Sequence, residues 1–208
     1  YTALCLSGYL NFKDALKVIA VRGEEMQKAV ENSNTTMAAV LTNDLDVTIE
    51  EINKLNNQGI QIWISNYNDP SQIVISSYID DMNYLKSNPK VIGAKRVIPL
   101  EVAGAFHTEI VSPAKKPLHD VLNEIDISEG KIPVYMNVDA KKVDLSSIKE
   151  NLVNQIDNSV LFSQQIQNLN QDIDPDLWCH IGPGNVTAGM VRKSISYKDL
   201  KVINSLES

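Results

Sequence analysis

The sequence has 208 residues, of which 43% are hydrophobic and 22% charged, and 26 acidic side chains outnumber 19 basic ones to give a formal net charge of −7. This size predicts one ordinary globular domain or two small ones, with enough core to need neither disulfides nor a structural metal. The acidic balance argues against a primary role on nucleic acid or an anionic membrane, because both favour clustered positive charge.

The sequence lacks the signatures of several protein classes. No stretch of about 18 apolar residues predicts a transmembrane helix, and no signal or transit peptide is recognised. Cys5 and Cys179 match no redox or zinc-finger spacing, which predicts two reduced thiols, and three histidines without H-x-x-x-H spacing disfavour a zinc site. The motifs G-x-S-x-G, P-loop and G-x-G-x-x-G are also absent from the 208 residues.

The first predicted element is an amphipathic helix over residues 12–30, where apolar residues recur at steps of three and four. Asn11 is a suitable N-cap, and Asp14 lies in the first turn. A polar connector at 32–36 ends the pattern.

Residues 36–100 then change to short alternating elements. The predicted order is strand, helix, strand, strand, helix, strand, as in a ferredoxin-like unit that is compact enough to be an insertion. Residues 66–70, Asn-Tyr-Asn-Asp-Pro, supply turn chemistry between the two central strands. The six predicted elements are 37–41, 48–56, 60–65, 72–76, 80–87 and 95–100.

The remainder predicts an α/β layer architecture with a parallel sheet, because strands again alternate with helices. A loop at 101–106 precedes these elements, and the turn Gly182-Pro-Gly184 interrupts them. The predicted helices are 109–125, 146–155, 162–169 and a short one through Arg192. The predicted strands are 134–138, 177–181 and 202–206.

Arg22 is the charged residue that the helical period singles out. It shares a stripe with Ala15, Ile19 and Met26, so it is predicted to project from the core-facing side of its helix. A guanidinium in that position requires an anionic partner. The commoner explanation is an internal ion pair with Asp or Glu, and the alternative is a fork open to a ligand carboxylate.

His107 follows a predicted strand and the small residues 103–105, which allow a tight turn. Functional sites of α/β sheets gather at the carboxyl ends of strands, so this histidine is a candidate for acid–base chemistry. A histidine satisfied by packing is the more common alternative. His119 is predicted to be solvated surface, and His180, in a predicted strand, to be structural.

Six ordered motifs with matching spacing resemble the malonyl-CoA:acyl carrier protein transacylases. They include Gly104-Ala-Phe-His107 and Ile181-Gly-Pro-Gly184, and the resemblance is in register along the whole chain. It implies an α/β fold, with an α/β-hydrolase-like large subdomain over 1–34 and 101–208 and an inserted ferredoxin-like α+β small subdomain over 35–100. In this family a G-H-S-x-G-E nucleophile elbow stands immediately before the tyrosine that matches Tyr1. The nucleophilic serine and the N-terminal part of the large subdomain are therefore expected to be missing, and these residues alone are expected not to turn over.

The resemblance implies transfer of a malonyl group from malonyl-CoA to the phosphopantetheine thiol of acyl carrier protein, through an acyl-serine intermediate, in fatty acid synthesis. His107 resembles the general base, and Gln155 the residue whose backbone carbonyl holds the other imidazole nitrogen. Arg22, in a motif that also contains Met26, resembles the arginine that binds the malonate carboxylate. Phe106 resembles the form of its motif that selects malonyl over a branched methylmalonyl group.

Four further positions carry over from the resemblance. Asn66 and Asn68 match residues that border the cleft, although turn propensity explains them equally well. Lys95 and Arg96 resemble the basic edge used by the acidic carrier protein. Residues 158–160, Asn-Ser-Val, depart from the family's Asn-Pro-Val in the turn after Gln155. A solvated face is the simpler explanation for the weaker basic candidates, Lys115-Lys116 and Arg192-Lys193.

Two other functions remain open at this point: an inactive fragment that binds carrier protein, and an acyl-thioester hydrolase. An RNA-binding role for 35–100 is disfavoured because no paired aromatic RNP motif is present. The resemblance further implies no cofactor and no metal, a monomer without nucleic-acid or membrane partners, and a location in the bacterial cytoplasm or an apicoplast-like plastid stroma rather than secretion.

Overall fold

The computed structural model describes residues 1–196 and 199–205. It begins with a short helix, α1 (Thr2–Leu6), and a long helix, α2 (Phe12–Val30). Helix α2 begins as its cap predicts, since the Asn11 side chain accepts a 2.9 Å hydrogen bond from the backbone N–H of Asp14.

The buried face of α2 differs by one residue from the predicted stripe. Val18 is fully buried whereas Ile19 is 41% exposed, so the prediction that Ile19 faces the core is wrong. Positions four apart share one face of a helix, and Arg22 therefore follows Val18 on the inward side, where its side chain is half-buried. The buried residues of this helix are Ala15, Val18, Met26 and Val30.

Residues 35–99 form a four-stranded antiparallel sheet with two helices, in the predicted order of elements. The strands lie in the order β2-β3-β1-β4. Ile52, Met82 and Leu85 from the helices share one buried cluster with strand residues. The elements are β1 (Thr35–Thr42), α3 (Leu45–Asn57), β2 (Ile62–Asp69), β3 (Gln72–Tyr78), α4 (Ile79–Ser87) and β4 (Ala94–Pro99), with a 3-10 helix, Pro89–Ile92, before β4.

The hairpin between β2 and β3 is tighter than predicted. Strand β2 continues through Asn66 and Asn68 to Asp69, so the two asparagines lie in a strand and the turn is limited to Pro70 and Ser71. The Asp69 carboxylate closes this turn by accepting hydrogen bonds from Ser71 N–H at 2.8 Å and Ser71 Oγ at 2.7 Å.

The remaining chain contains helices and one pair of parallel strands. These are a 3-10 helix (Glu109–Ala114), α5 (Lys115–Asn123), a 3-10 helix (Leu145–Ser147), α6 (Ile148–Asn154), α7 (Phe162–Ile173), β5 (Trp178–Ile181), α8 (Val186–Ser194) and β6 (Leu200–Ile203). Strands β5 and β6 pair in parallel. The predicted last strand also included Leu206, which lies outside the described residues.

Two predicted elements in this part are wrong. The expected helix over 109–125 divides at Ala114, because its first part, which contains Pro113, is 3-10 rather than α-helical. The expected strand over 134–138 is an irregular loop that folds back on itself, with Val143 N–H donating to the Val134 carbonyl at 2.7 Å. Residues 134–136 are all buried. A short continuous apolar run is typical of a buried strand, and it therefore led to the wrong prediction.

The sheet is joined to the remaining chain along strand β2 and at the N-terminal end of β1. Val160 pairs in parallel with β2: Tyr67 N–H donates to the Val160 carbonyl and Val160 N–H to the Ser65 carbonyl, both at 2.8 Å. Helix α2 packs in the other principal cluster with residues of α5 and α6. In the described parts of the chain, no helix combines the length and apolar character needed to cross a membrane.

Candidate active site

His107 lies in the connection after β4, in a backbone conformation that few non-glycine residues adopt. Its φ of 59° lies in the left-handed region, where a residue with a Cβ is strained. Two hydrogen bonds hold the chain beside it. Ala105 N–H donates to Thr35 Oγ1 at 2.9 Å, and Thr108 Oγ1 donates to the Ala105 carbonyl at 2.7 Å.

Gly104 allows this connection to approach α2 closely. A Cβ at this position would lie 2.6 Å from Val30 Cβ, well inside van der Waals contact. The small residues before His107 therefore serve packing as well as turning.

The His107 imidazole is oriented by a backbone carbonyl. Its Nδ1 lies 2.9 Å from the carbonyl oxygen of Gln155, the C-cap residue of α6. Because a carbonyl oxygen only accepts, the Nδ1 atom carries the proton, and in the neutral ring Nε2 presents a lone pair. No hydrogen bond to Nε2 is found within the described residues.

His107 and Arg22 line the same cavity of about 340 Å³. Helix α2 supplies Arg22 and Met26 to this cavity, β2 supplies Asn66, and the connection after β4 supplies Phe106 and His107. Its other lining residues are mostly apolar: Gly23, Met37, Leu100 and Val102. The cavity thus combines one cation and one imidazole with an apolar wall.

Arg22 makes no ion pair or hydrogen bond to any other residue within 1–196 and 199–205. It also lines a second cavity of about 380 Å³, together with Tyr1 and Gln155. The hydroxyl of Tyr1 and the Oε1 of Gln155 are buried there without a hydrogen-bond partner in the described chain. The internal ion pair that was the commoner explanation for Arg22 is therefore not found.

The environment of His107 favours its neutral form. Burial lowers the pKa of His107 below its ordinary value of 6.5, and the positive charge of Arg22 lowers this pKa further. The hydrogen bond to the Gln155 carbonyl acts in the opposite direction. Burial is the largest of these effects, so the imidazole is uncharged at neutral pH and its Nε2 lone pair is available to accept a proton.

Comparison with known proteins identifies the family. A malonyl CoA-acyl carrier protein transacylase of Bacillus subtilis (strain 168) is 38% identical over 194 residues, which is 93% of this chain and 61% of the relative. The transacylase of the same name from Staphylococcus aureus (strain MRSA252) is 34% identical over 208 residues, covering all of this chain and 67% of the relative. The chain belongs to the malonyl CoA-acyl carrier protein transacylase family. No protein-family model matches the sequence.

A solved structure supports the same family assignment. A type II PKS acyl-carrier protein in complex with its malonyl-transacylase matches with a TM-score of 0.90 and 27% identity, over all of this chain and 67% of that chain. The chain spans about two thirds of the length of the transacylases that it matches.

The transacylase fold brings together only part of the predicted site. Asn68 does not line the cavity: it is buried, and its amide donates to Gln72 Oε1 at 3.3 Å. Lys95 and Arg96 are exposed on the edge strand β4, and neither of them lines the cavity. Within the described chain, no group of three His, Cys, Asp or Glu side chains could hold a metal ion.

Two lysines for which a solvated face was the simpler explanation also make specific contacts, although the Lys193 side chain is 53% exposed as expected. Lys115 pairs with Asp157 at 3.0 Å, and Lys193 pairs with the buried carboxylate of Asp69 at 3.2 Å. Their partners lie far away in sequence, so local charge pattern gave no signal for either pair. Sequence reasoning also missed Met37, Leu100 and Val102, whose apolar side chains are indistinguishable in sequence from ordinary core residues.

Proposed function

We propose that this chain forms the larger part of an acyltransferase that moves a malonyl group from malonyl-CoA to the phosphopantetheine thiol of acyl carrier protein. The observation that carries the proposal is the pairing, in one cavity, of a neutral, carbonyl-oriented imidazole with a guanidinium that has no acidic partner among the described residues. The thioester of a dicarboxylic acid has a free carboxylate that can bind the Arg22 guanidinium and a thioester carbonyl carbon that a nucleophile can attack.

In the first half-reaction, we assign the nucleophile to a serine outside these 208 residues, as the family resemblance implies. The serine hydroxyl gives its proton to Nε2 of His107 while its oxygen attacks the thioester carbonyl carbon. When the C–S bond breaks, the imidazolium returns the proton to the departing CoA thiolate. The Gln155 carbonyl keeps the ring in the required tautomer, so no acidic third residue is needed.

In the second half-reaction, the thiol of the carrier protein's phosphopantetheine gives its proton to His107 while its sulfur attacks the carbonyl carbon of the acyl-serine. The ester C–O bond then breaks, and the imidazolium returns the proton to the serine oxygen. The structural relative that contains an acyl-carrier protein bound to its malonyl-transacylase supports this choice of acceptor. The exposed side chains of Lys95 and Arg96 on β4 offer positive charge to an acidic carrier protein.

The acyl group is selected by Arg22, Met26 and Phe106. A carboxylate matches the planar fork of a guanidinium, whereas an acetyl group would leave that cation without a partner. Phe106 fills space next to His107 and disfavours a branched extender. Asn66 is placed for the pantetheine arm, because it enters the cavity from the sheet.

We assign residues 35–100 to a ferredoxin-like small subdomain inserted into an α/β-hydrolase-like large subdomain formed by 1–34 and 101–208. The strand order β4-β1-β3-β2, with helices after the first and third strands in sequence, supports the ferredoxin-like assignment. We further propose a monomer without a resident cofactor, working in a bacterial cytoplasm or plastid-type stroma in fatty acid synthesis.

The proposal is tested with the complete enzyme, malonyl-CoA and phosphopantetheinylated carrier protein. We expect malonyl-carrier protein to form, as measured by intact mass, with little free malonate in the absence of carrier protein. Equal release of malonate with and without carrier protein would instead assign a hydrolase. Binding of carrier protein without acylation of either protein would assign an inactive carrier-binding role.

The pH dependence of the first half-reaction follows from the lowered pKa of His107. His107 lines the 340 Å³ cavity with Arg22, and it also borders a further cavity of about 400 Å³ whose charged residues are Glu109 and Asp157. Only neutral imidazole accepts the serine proton, so the rate falls on acidification as the ring becomes protonated, and that fall is expected below pH 6.5, the ordinary value. Pre-steady-state release of CoA between pH 4.5 and 8 measures it. An acidic limb centred above pH 6.5 would contradict the assignment.

A further inference from the structure

The Gln155 carbonyl belongs to a tight turn at the end of α6, and Val160 joins the far side of this turn to β2. Gln155 ends α6, and its own side-chain amide donates to the Asn158 carbonyl at 3.1 Å within the turn. Asn158 Nδ2 in turn donates to the Asn154 carbonyl at 2.8 Å. These bonds shape the turn internally but do not fix its distance from His107.

One side chain in this turn reaches across to the element that follows His107. Asp157 lies two residues after Gln155, and its Oδ2 accepts a hydrogen bond from Ser112 Oγ at 2.8 Å, while Oδ1 accepts from Lys115 Nζ at 3.0 Å. Ser112 lies in the 3-10 helix that begins at Glu109, and Lys115 begins α5. A single carboxylate therefore joins the two segments that hold the two ends of the His107–Gln155 hydrogen bond.

The burial of this cluster distinguishes it from an ordinary surface ion pair. The Asp157 side chain is 15% exposed and that of Lys115 is 30% exposed, whereas the Lys116–Asp120 pair on the same helix is 82% and 56% exposed. Both oxygens of Asp157 are bonded across the gap, which fixes two contacts rather than one. Asp157 and His107 also border one polar cavity of about 400 Å³.

The strained backbone of His107 has to be held in place by its surroundings, and the contacts of Asp157 contribute to this. A non-glycine residue with φ of 59° persists only where the surroundings over-determine it. Before His107, the hydrogen bond from Ala105 N–H to Thr35 restrains the chain. Across His107, the bond from the Thr108 hydroxyl to the Ala105 carbonyl does the same. On the C-terminal side, the side-chain hydrogen bonds described between residues 109–115 and the Gln155 turn are those of Ser112 and Lys115 to Asp157. They add to the buried cluster that Val111, Ala114 and Ile156 share.

We propose that Asp157 is a positioning residue, which through Ser112 and Lys115 holds the His107 imidazole at hydrogen-bond distance from the Gln155 carbonyl. The proposal rests on the proposed function, because it assigns Asp157 to the positioning of that reaction's general base. It uses residues near the His107 and Gln155 motifs that the family resemblance does not itself assign.

The test compares Asp157→Ala with Asp157→Asn in the complete enzyme. The alanine variant loses both contacts, and we expect kcat to fall by up to about 100-fold while KM for malonyl-CoA changes little, because Asp157 does not line the cavity of Arg22 and Met26. The asparagine variant lacks the charge but keeps an acceptor oxygen, and it is expected to recover much of kcat. Asp120→Ala, which removes the exposed partner of Lys116, is the matched control and is expected to behave as the parent.

An NMR titration of the His107 ring provides a readout that does not require turnover. The Gln155 carbonyl bond raises the pKa of His107, so weakening it in Asp157→Ala is expected to shift the titration to lower pH. Loss of the negative charge would shift it in the same direction. Asp157→Asn separates the two causes: a shift as large as that of Asp157→Ala assigns the effect to charge and overturns the positioning role.

Ser112→Ala keeps the charge of Asp157 and removes one of its two contacts. It therefore provides an alternative test of the positioning role if the Asp157 variants do not fold. We expect a smaller decrease in kcat and a smaller shift of the His107 titration in the same direction. If both Ser112→Ala and Asp157→Ala fold and both keep the parental kcat and the parental His107 titration, the proposal is overturned. Malonyl transfer itself is then unaffected. Failure of the parent enzyme to transfer malonyl would instead overturn the proposed function.

Discussion

Replacing His107 with alanine in the complete enzyme is expected to reduce kcat for malonyl transfer by about 10²–10⁴-fold, the usual contribution of a general base. The reason is geometric: the ring is held by the Gln155 carbonyl with Nε2 free, and no second imidazole lines the cavity of Arg22 and Met26. The measurement is the rate of malonyl-enzyme formation, followed by intact mass after rapid quenching.

The matched control is His119→Ala. His119 is exposed on α5 and contacts Asn123 rather than the cavity, so its removal is expected to leave kcat unchanged. Retention of more than about a tenth of the parental acylation rate by a folded His107→Ala variant would remove His107 from the mechanism. Thermal unfolding of both variants shows whether the loss is one of chemistry or of structure.

Local hydrophobic periodicity predicts an element best where the element buries one apolar face and its ends carry clear cap or turn residues. Helix α2 is found at the predicted residues because its cap and its apolar spacing agree, and the order of elements in 35–99 follows from short β-branched runs separated by polar turns. The error at Ile19 arose because Val18 and Ile19 are both apolar, and only packing against other elements decides which of them faces inward.

Long-range polar contacts set the limit of prediction at the candidate site. The bond between His107 and Gln155 joins residues 48 positions apart through a backbone carbonyl, which has no side-chain signature, and only the family resemblance indicated it. The pairs of Lys115 with Asp157 and Lys193 with Asp69 are equally remote in sequence. Charge pattern alone treated these lysines as solvated because it contains no information on distant partners.

Replacing Arg22 with alanine is expected to abolish the preference for malonyl-CoA over acetyl-CoA. Arg22 is half-buried, has no acidic partner in the described chain, and shares its cavity with His107. Truncating one member of a charge pair costs about 2–5 kcal/mol, so the selectivity ratio of kcat/KM is expected to fall by about 30-fold or more. The loss is expected for malonyl-CoA, while acetyl-CoA is used equally or better because the unpaired cation is gone.

Arg22→Lys and the pH profile distinguish carboxylate binding from a general electrostatic effect. Lysine keeps the positive charge but not the planar fork, so it is expected to retain part of the selectivity and an acidic limb similar to that of the parent. Arg22→Ala removes a charge that lowers the pKa of His107, and its acidic limb is therefore expected at higher pH. The control is Arg192→Ala on the exposed side of α8, tested with the two CoA thioesters alone. If Arg22→Ala keeps the parental selectivity while its acidic limb moves as expected, the guanidinium tunes the imidazole without binding the substrate's carboxylate.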